Sequence, residues 1–406
     1  MGKLSLKNFM YDNTIAHKIA EKYREKPLVD FHNVNSETSL DSLNLNWRER
    51  DLPEYQRTKH VHRLHPYLGK FVPQLVEIFL RKYQPTLVYD PFVGSGTTLV
   101  EANALGIDAV GTDISAFNVL LSRVKTDKYD IQELEKEIED ILNRLDTYKT
   151  KFNNSEKVNK LFTTKSDYIK NWFAPNTQKE LLCYARLIKD YTYRDLLNII
   201  LSRSARSARL IPHHDLDFPK KPQNNEYYCY KHRRTCQPVK EAYKFLSRYT
   251  IDALERIKEF SKLRTNANVT VNHGDSRIIE LPYGIDMVFT SPPYIGLIDY
   301  HDQHKYAYEL LGLKNNEIHE IGPAKNGKSQ QAKDKYINGI NEVFLHTRKY
   351  MTDNALALIV VNDRHNLYKA ENAGFREIGR VERHVNRRTG MREGAFYESI
   401  LIWQKV

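Results

Sequence analysis

The stretch that most constrains the fold is residues 86–113, which reads as one complete strand–helix–strand unit with chemistry at both strand ends. Thr86-Leu87-Val88-Tyr89 is a short β-rich run that ends at Asp90-Pro91-Phe92. Gly94-Ser95-Gly96-Thr97-Thr98 then opens the apolar-periodic stretch Leu99 to Leu105, and Asp108-Ala109-Val110-Gly111-Thr112 closes on Asp113. Upstream, Phe71, Leu75, Val76, Phe79 and Leu80 form a helical stripe, with Pro73 where a first turn tolerates it. Downstream, Asn268 to Val271 and the apolar Ile285 to Phe289 read as strands, as do Ala355 to Val361 and the alternating Phe396 to Trp403. Strand ends carrying Asp90, Asp113, Asp275 and Ser291 are expected to converge on the carboxyl edge of one parallel sheet, where open α/β sheets bind ligands.

The physical content of the first unit is a nucleotide-type crevice. Glycines at 94 and 96 let the backbone approach a ligand at a helix N-terminus, and an acidic residue ending the second strand can accept both ribose hydroxyls. A phosphate loop is excluded because no lysine follows Gly96, and the dinucleotide fingerprint lacks its third glycine, since Leu99 stands there. Asp90, directly before the loop, would repel a pyrophosphate but pair with an ammonium group. An amino-acid-bearing nucleoside such as S-adenosylmethionine is therefore the better match. An acidic helix-capping residue beside a glycine turn would leave the same trace. Gly274-Asp275-Ser276 is a further candidate for holding the adenine.

Thr290-Ser291-Pro292-Pro293-Tyr294 ends the strand that starts at Ile285. Two consecutive prolines remove two N–H donors and hold the chain extended, so nearby carbonyls and the Ser291 hydroxyl can turn outward as acceptors while Tyr294 offers an aromatic face. That suits an exocyclic amine on a stacked base. Taken alone, the run reads equally as a strand exit whose tyrosine caps a core.

With 406 residues, 41% apolar and 28% charged, the chain can bury a full core. The net charge of +11 favours a polyanionic partner. Apolar runs fall far short of the roughly 20 residues a membrane span needs, so a cytoplasmic location and no membrane partner are expected. Residues 1–60, with the isolated Trp47, read as an N-terminal arm or wrapping segment. Residues 126–265 read as a mostly helical insertion and a candidate DNA-recognition region. Within it, residues 201–240 hold nine Lys or Arg against three Asp or Glu, with Tyr227, Tyr228 and Tyr230 interleaved. Arg203, Arg206 and Arg209 recur at helical spacing and, with Lys220, Lys221, Arg233 and Arg234, are expected to contact phosphates. A solvated basic face would have the same composition. A second cluster, Arg380, Arg383, Arg387, Arg388 and Arg392, is placed in a turn before the last strand. The cysteines, Cys183, Cys229 and Cys236, are too few for a disulfide framework. His213-His214 beside Cys229 and Cys236 invite a metal, but six residues between the cysteines exceed usual structural-zinc spacing, and no metal is expected.

Taken in order, His65-Pro66-Tyr67 with Lys70-Phe71-Val72-Pro73, Asp90 to Thr98, Gly111-Thr112-Asp113 and Thr290 to Tyr294 resemble the amino-group DNA methyltransferases, most closely the N4-cytosine branch. The matching pieces cover about residues 60–125 and 266–406, roughly half the chain. The resemblance implies a Rossmann-like seven-stranded methyltransferase sheet, with residues 61–125 and 266–406 as the catalytic domain. It implies that Asp90, Phe92, Gly94, Gly96, Thr97, Asp113, Ile114 and Asp275 cradle S-adenosylmethionine and that His65, Lys70 and Phe71 flank its methionine end. Ser291, Pro292, Pro293 and Tyr294 would hold a flipped base. It further implies duplex DNA as substrate and a cognate restriction endonuclease as partner. The family's adenine enzymes more often carry an acidic or Asn residue where Ser291 stands, which favours cytosine. The order departs from the usual permutations, because the insertion precedes the third motif. Ring-carbon methylation would need a cysteine nucleophile, and none of the three follows a proline in the manner of those enzymes.

Overall fold

Short runs of β-branched and aromatic residues bounded by Asp, Gly and Pro give the strands, and helices return the chain between them. The computed structural model describes residues 18–19, 21–154, 160–217, 219–385 and 396–406. Its strands are β1 (Leu87–Asp90), β2 (Asp108–Asp113), β3 (Tyr227–Cys229), β4 (Arg234–Cys236), β5 (Val269–His273), β6 (Ile285–Thr290), β7 (Met351–Val361), β8 (Phe375–Val385) and β9 (Phe396–Lys405). Seven of them form one sheet in the order β5-β2-β1-β6-β7-β9-β8, parallel except for β9, which runs against both neighbours. This is the α/β methyltransferase-type sheet expected from sequence. The chain leaves β1 toward β2 and β5 and then crosses to β6 on the other side of β1. That reversal of strand order opens a crevice at the carboxyl ends of β1 and β6.

Both faces of the sheet are covered. One is packed by the helix Pro73–Tyr83, with Pro73 at its first turn as predicted, through Leu75, Ile78 and Phe79 against Met287 and Phe289. Val34, Leu43, Leu45 and Leu52 join that cluster. Each fully buried leucine contributes about 1.5–3 kcal/mol, so the segment read as an arm or wrapping segment is part of the core of the sheet. The opposite face buries Tyr89, Val288, Ile359 and Trp403 against Ile340 and Phe344 of the helix Gln330–Thr347.

Residues 126–265 form the helices Ile131–Asn154, Asp167–Trp172, Pro175–Leu187, Arg194–Ala208 and Tyr243–Ser261, together with the separate two-stranded ribbon β3–β4. Their apolar faces share one cluster with Val61, Leu64, Phe117 and Leu121 of the sheet domain. The ribbon was not anticipated, because three-residue strands are too short to show a period. The strand β8 was not anticipated either. It contains Arg380 and Arg383, read from sequence as part of a turn. Arg380 pairs with Glu377 along the edge strand at 3.0 Å, while Arg383 is buried against Glu398. Arg387, Arg388 and Arg392 lie outside the described residues.

Gly111 of β2 shows how tightly the glycine loop packs on its sheet. A Cβ there would fall 2.7 Å from Val93 Cγ2 and 2.8 Å from Leu99 Cδ1. Gly111→Ala is expected to destabilise the chain by about 1–3 kcal/mol through overpacking. Urea titration should show a lowered midpoint with an unchanged slope, and an unaltered midpoint would refute the constraint.

Candidate active site

The helix Thr97–Ala104 starts from Gly96, whose left-handed backbone (φ 77°) lets the chain turn off β1 into the helix. A Cβ on Gly96 would also approach the Ser122 backbone to 3.2 Å. Gly94, likewise left-handed (φ 50°), directs its N–H to Asp113 Oδ2 at 2.9 Å. Asp113 Oδ1 accepts from the Ser115 N–H at 2.9 Å and from Asn118 Nδ2 at 3.1 Å. The loop after β1 and the end of β2 are thus tied through one carboxylate. Beside it, Asp90 Oδ1 accepts from Thr290 Oγ1 at 2.6 Å and from the Phe92 N–H at 3.1 Å, which joins β1 to β6.

These strand ends line a cavity that also takes in Lys70, Phe71, Phe92, Thr97, Ile114 and Asp275. Its charged wall consists of Asp90, Asp113, Asp275 and Glu320 against Lys70. Burial pushes the Asp90 carboxyl up to about 6, against hydrogen bonds from Thr290, Thr98 and the Phe92 N–H that favour its ionised form. Burial also raises Asp113, opposed by the Ser115 and Gly94 N–H groups. Asp275 is desolvated too, but its bonds to Arg277 outweigh that and hold it below the usual range. Buried carboxylates without a matching cation gain from a positively charged occupant. S-adenosylmethionine carries an ammonium and a sulfonium, and a carboxylate-rich cavity fits it where a pyrophosphate would be repelled.

A second cavity adjoins the first. Tyr67, Phe71, Tyr294 and Tyr300 supply its rings, Leu297 and Ile298 its apolar wall, and Glu54, Arg57 and Thr58 of the N-terminal segment one rim. Ser291 lines both cavities, whereas Pro293 faces only the first and Pro292 and Tyr294 only the second. The loop is fixed from behind: Tyr336 Oη donates to the Pro293 carbonyl at 2.9 Å, and Tyr294 Oη lies 3.4 Å from Glu398 Oε1. Glu398 is itself held by Arg383 at 2.9 Å.

His65 does not line either cavity. It is fully buried, with Nδ1 2.7 Å from the Pro66 carbonyl and Nε2 3.1 Å from Ser202 Oγ. Only Nδ1–H can bond the carbonyl, so Nε2 accepts from the serine, and burial pushes the imidazole well below its usual pKa. It is a neutral core histidine, and Tyr67, two residues on, takes the place at the cavity. Gly96 also lies off the lining, where it acts through the turn. Sequence reasoning missed Ser115, Asn118, Tyr300 and Glu320. Asn118 had a readable signal, one helical turn beyond the Ser115 cap. Tyr300 and Glu320 sit in segments without periodicity and had none.

The arginine row is a correction. Arg203 Nη1 lies 2.5 Å from Asp252 Oδ2 and its guanidinium lies over Tyr249, while Arg206 pairs with Asp217. Arg209 is 5% exposed and donates to the Leu216 carbonyl at 2.7 Å. These side chains are engaged within the fold, Arg209 also lying over the ring of Tyr306 outside the insertion, and offer no row of free charges to phosphates. Lys220, Lys221, Arg233 and Arg234 are exposed. Cys229 and Cys236, set aside as too far apart for a metal, come together with His213 and with His232, which the spacing argument had not counted.

A family profile described as DNA methylase matches residues 12–123, and one described as D12 class N6 adenine-specific DNA methyltransferase matches residues 69–195. The type II methyltransferase M.MjaII of Methanocaldococcus jannaschii is 38% identical, covering 86% of this chain and 81% of that protein. The type II methyltransferase M.MvaI of Kocuria varians is 26% identical over 74% of this chain and 68% of its own length. Among solved structures, an rRNA methyltransferase, aviRa from Streptomyces viridochromogenes, aligns over 84% of this chain and 88% of that one at 11% identity with a TM-score of 0.31, too distant to carry an argument. The chain belongs to the type II DNA methyltransferases that act on amino groups, and its methyl donor is S-adenosylmethionine. Among the described residues no helix is long and apolar enough to cross a membrane.

The raised Asp90 carboxyl gives two trends of opposite sign. A folded pKa above the unfolded one favours folding below about pH 4, and that advantage is lost as pH rises through about 6, on the order of 3 kcal/mol in all. Binding of a cation needs the ionised form, so affinity for S-adenosylmethionine should rise with pH up to about 6. Urea midpoints and calorimetric titrations of wild type and Asp90→Asn across this range check both. Identical pH profiles for the two proteins would remove Asp90 from the site.

Proposed function

We propose that this methyltransferase acts on the exocyclic N4 amine of cytosine within a short duplex DNA sequence, as the modification half of a pair with a restriction endonuclease. The observation that carries the reading is Ser291 in the wall between the carboxylate-rich cavity and the aromatic one. When bound, S-adenosylmethionine supplies an electrophilic sulfonium methyl. A cytosine amine is a poor nucleophile because its lone pair is delocalised into the ring. Hydrogen bonds accepted from both of its protons favour a pyramidal nitrogen that can attack. Ser291 Oγ and the Pro292 carbonyl are the acceptors, and the Pro293 carbonyl, engaged by Tyr336, is not available for that task. Tyr294 stacks on a base flipped into the aromatic cavity, which spares the reaction water and holds the amine toward the donor. None of the three cysteines lines either cavity, so the loop works by orientation and not through a covalent adduct.

The serine at 291 favours cytosine over adenine, because adenine enzymes of the family more often carry an acidic or Asn residue there. Adenine N6 is the second reading, favoured by the match of residues 69–195 to the D12 class profile. The DNA duplex is met by the exposed Lys220, Lys221, Arg233 and Arg234, while Arg203 ties two helices of the insertion together and Arg206 and Arg209 hold the loop at Leu216 and Asp217.

Expression in a methylation-free host followed by mass spectrometry of digested DNA should reveal N4-methylcytosine at one short sequence. Ser291→Ala should cut turnover by about 100-fold or more while calorimetry shows unchanged S-adenosylmethionine binding. N6-methyladenine alone would replace the first reading with the second, and lost cofactor binding in Ser291→Ala would make the loop structural. Lys221→Ala and Arg234→Ala should each lower the salt slope of DNA binding by about 1. Arg203→Ala should leave that slope unchanged while costing about 1–3 kcal/mol of stability, because Asp252 loses a partner. A reduced slope for Arg203→Ala would return that helix to the interface.

A further inference from the structure

The ribbon β3–β4 carries chemistry that methyl transfer does not use. Its antiparallel register pairs Tyr227 with Cys236 and Cys229 with Arg234. Side chains alternate along a strand, so this register places both cysteines on one face of the ribbon. His232 sits in the connecting turn, where Arg233 adopts a left-handed backbone (φ 53°). His213 arrives from the loop that follows the helix Arg194–Ala208. One ligand atom from each of His213, Cys229, His232 and Cys236 lies within 4.8 Å of all the others.

We infer that these four side chains form a Cys2His2 site for a structural zinc ion, which fixes the ribbon and its basic turn to the helical insertion. Two thiols and two imidazoles are a ligand set that selects zinc, and Cys229-x-x-His232 has the short spacing of a zinc knuckle. Bonds of about 2.3 Å to sulfur and 2.0 Å to nitrogen in a tetrahedron put neighbouring ligand atoms about 3.3–3.8 Å apart. His232 Nδ1 already lies 3.4 Å from Cys236 Sγ. Outer support is present too: Tyr227 Oη is 2.8 Å from His213 Nδ1 and accepts the His213 backbone N–H at 3.0 Å, which leaves His213 Nε2 for the metal.

Packing gives an independent reason. Cys229 is fully buried and Cys236 nearly so, yet neither belongs to a hydrophobic cluster of the described residues. An isolated two-stranded ribbon is at best marginal in water, and a bound zinc ion supplies the missing folding energy as the two thiols lose their protons. Both cysteines are free thiols, with no disulfide to serve instead. The other such cluster among the described residues, His60 with His62 and Glu101, differs in kind. The Lys59 ammonium lies 2.8 Å from Glu101 and already balances its charge.

The ribbon and its turn also expose Tyr228, Tyr230, Lys231, Arg233 and Arg234. Zinc would therefore set the orientation of an aromatic and basic surface facing DNA, a consequence that rests on the function proposed above, whereas metal binding does not. The full chain purified without chelators should hold one zinc per chain by elemental mass spectrometry. After stripping, added cobalt should give the visible bands of a tetrahedral site and a thiolate charge-transfer band. Cys229→Ser and Cys236→Ser should lose both signals, and Cys183→Ser, in the helical core, should keep them. Calorimetry with S-adenosylmethionine reports folding in each case. Wild-type protein that binds the cofactor yet holds less than a tenth of a zinc and gives no cobalt spectrum overturns the site. Stoichiometric zinc with DNA affinity unchanged on stripping upholds the metal and overturns the DNA-facing role of the ribbon. A roughly tenfold loss of DNA affinity upholds both.

Discussion

The buried Asp90 carboxylate is the joint on which the site depends. It ends β1, accepts from Thr290 of β6 and from the N–H of Phe92, and so couples the glycine loop to the Ser291–Tyr294 loop across 200 residues of sequence. At the opposite end of the same pair, Asp286 of β6 accepts from the Thr86 N–H at 2.7 Å, its hydroxyl at 2.8 Å and the Leu87 N–H at 3.0 Å. Two carboxylates thus fix the register of β1 against β6 at both ends. A slip of one residue would send Ser291 to the other face of the sheet and separate the two cavities. The cost is a desolvated acid at Asp90, whose raised pKa marks a position that a cationic donor relieves.

The aromatic cavity has a different origin. Glu54, Arg57 and Thr58 form one rim and Glu398 lies under Tyr294, so segments from early and late in the sequence meet around the aromatic cavity while the middle of the sheet builds the carboxylate-lined one. Leu43, Leu45 and Leu52 buried against the sheet keep that rim in place. The N-terminal segment is therefore a structural part of the aromatic cavity.

This division explains what the sequence made legible. Much of the carboxylate-lined cavity is local: a glycine loop, a strand-ending acid and a first-turn proline each force a backbone geometry within a few residues, so the placement of Asp90, Gly94 and Asp113 at one sheet edge was legible, whereas Thr97 came only with the resemblance. The aromatic cavity is assembled from remote segments, and nothing near Glu398, Tyr300 or Arg57 announces their meeting. His65 shows the converse failure. It stands in the right motif, but its neighbours Phe117, Ser202 and His304 claim it for the core. His232 was passed over because linear spacing was counted between the cysteines, while the ribbon register and its turn decide which side chains meet.

Charge was legible in amount but not in placement. A net charge of +11 and a dense run of arginines read alike from composition, yet Arg203, Arg206, Arg209 and Arg383 are turned to partners within the fold. The cavity at the ends of β1, β2 and β6, meanwhile, is acidic. A basic protein can hold a cationic cofactor because the two fields are separated: carboxylates converge at the desolvated sheet edge, where interactions are weakly screened, and lysines and arginines remain in water, where they can attract phosphates at longer range. Helical periodicity of arginines therefore identifies a DNA-facing surface only after the acids within reach have been subtracted, and here Asp217 and Asp252 are the acids that remove it.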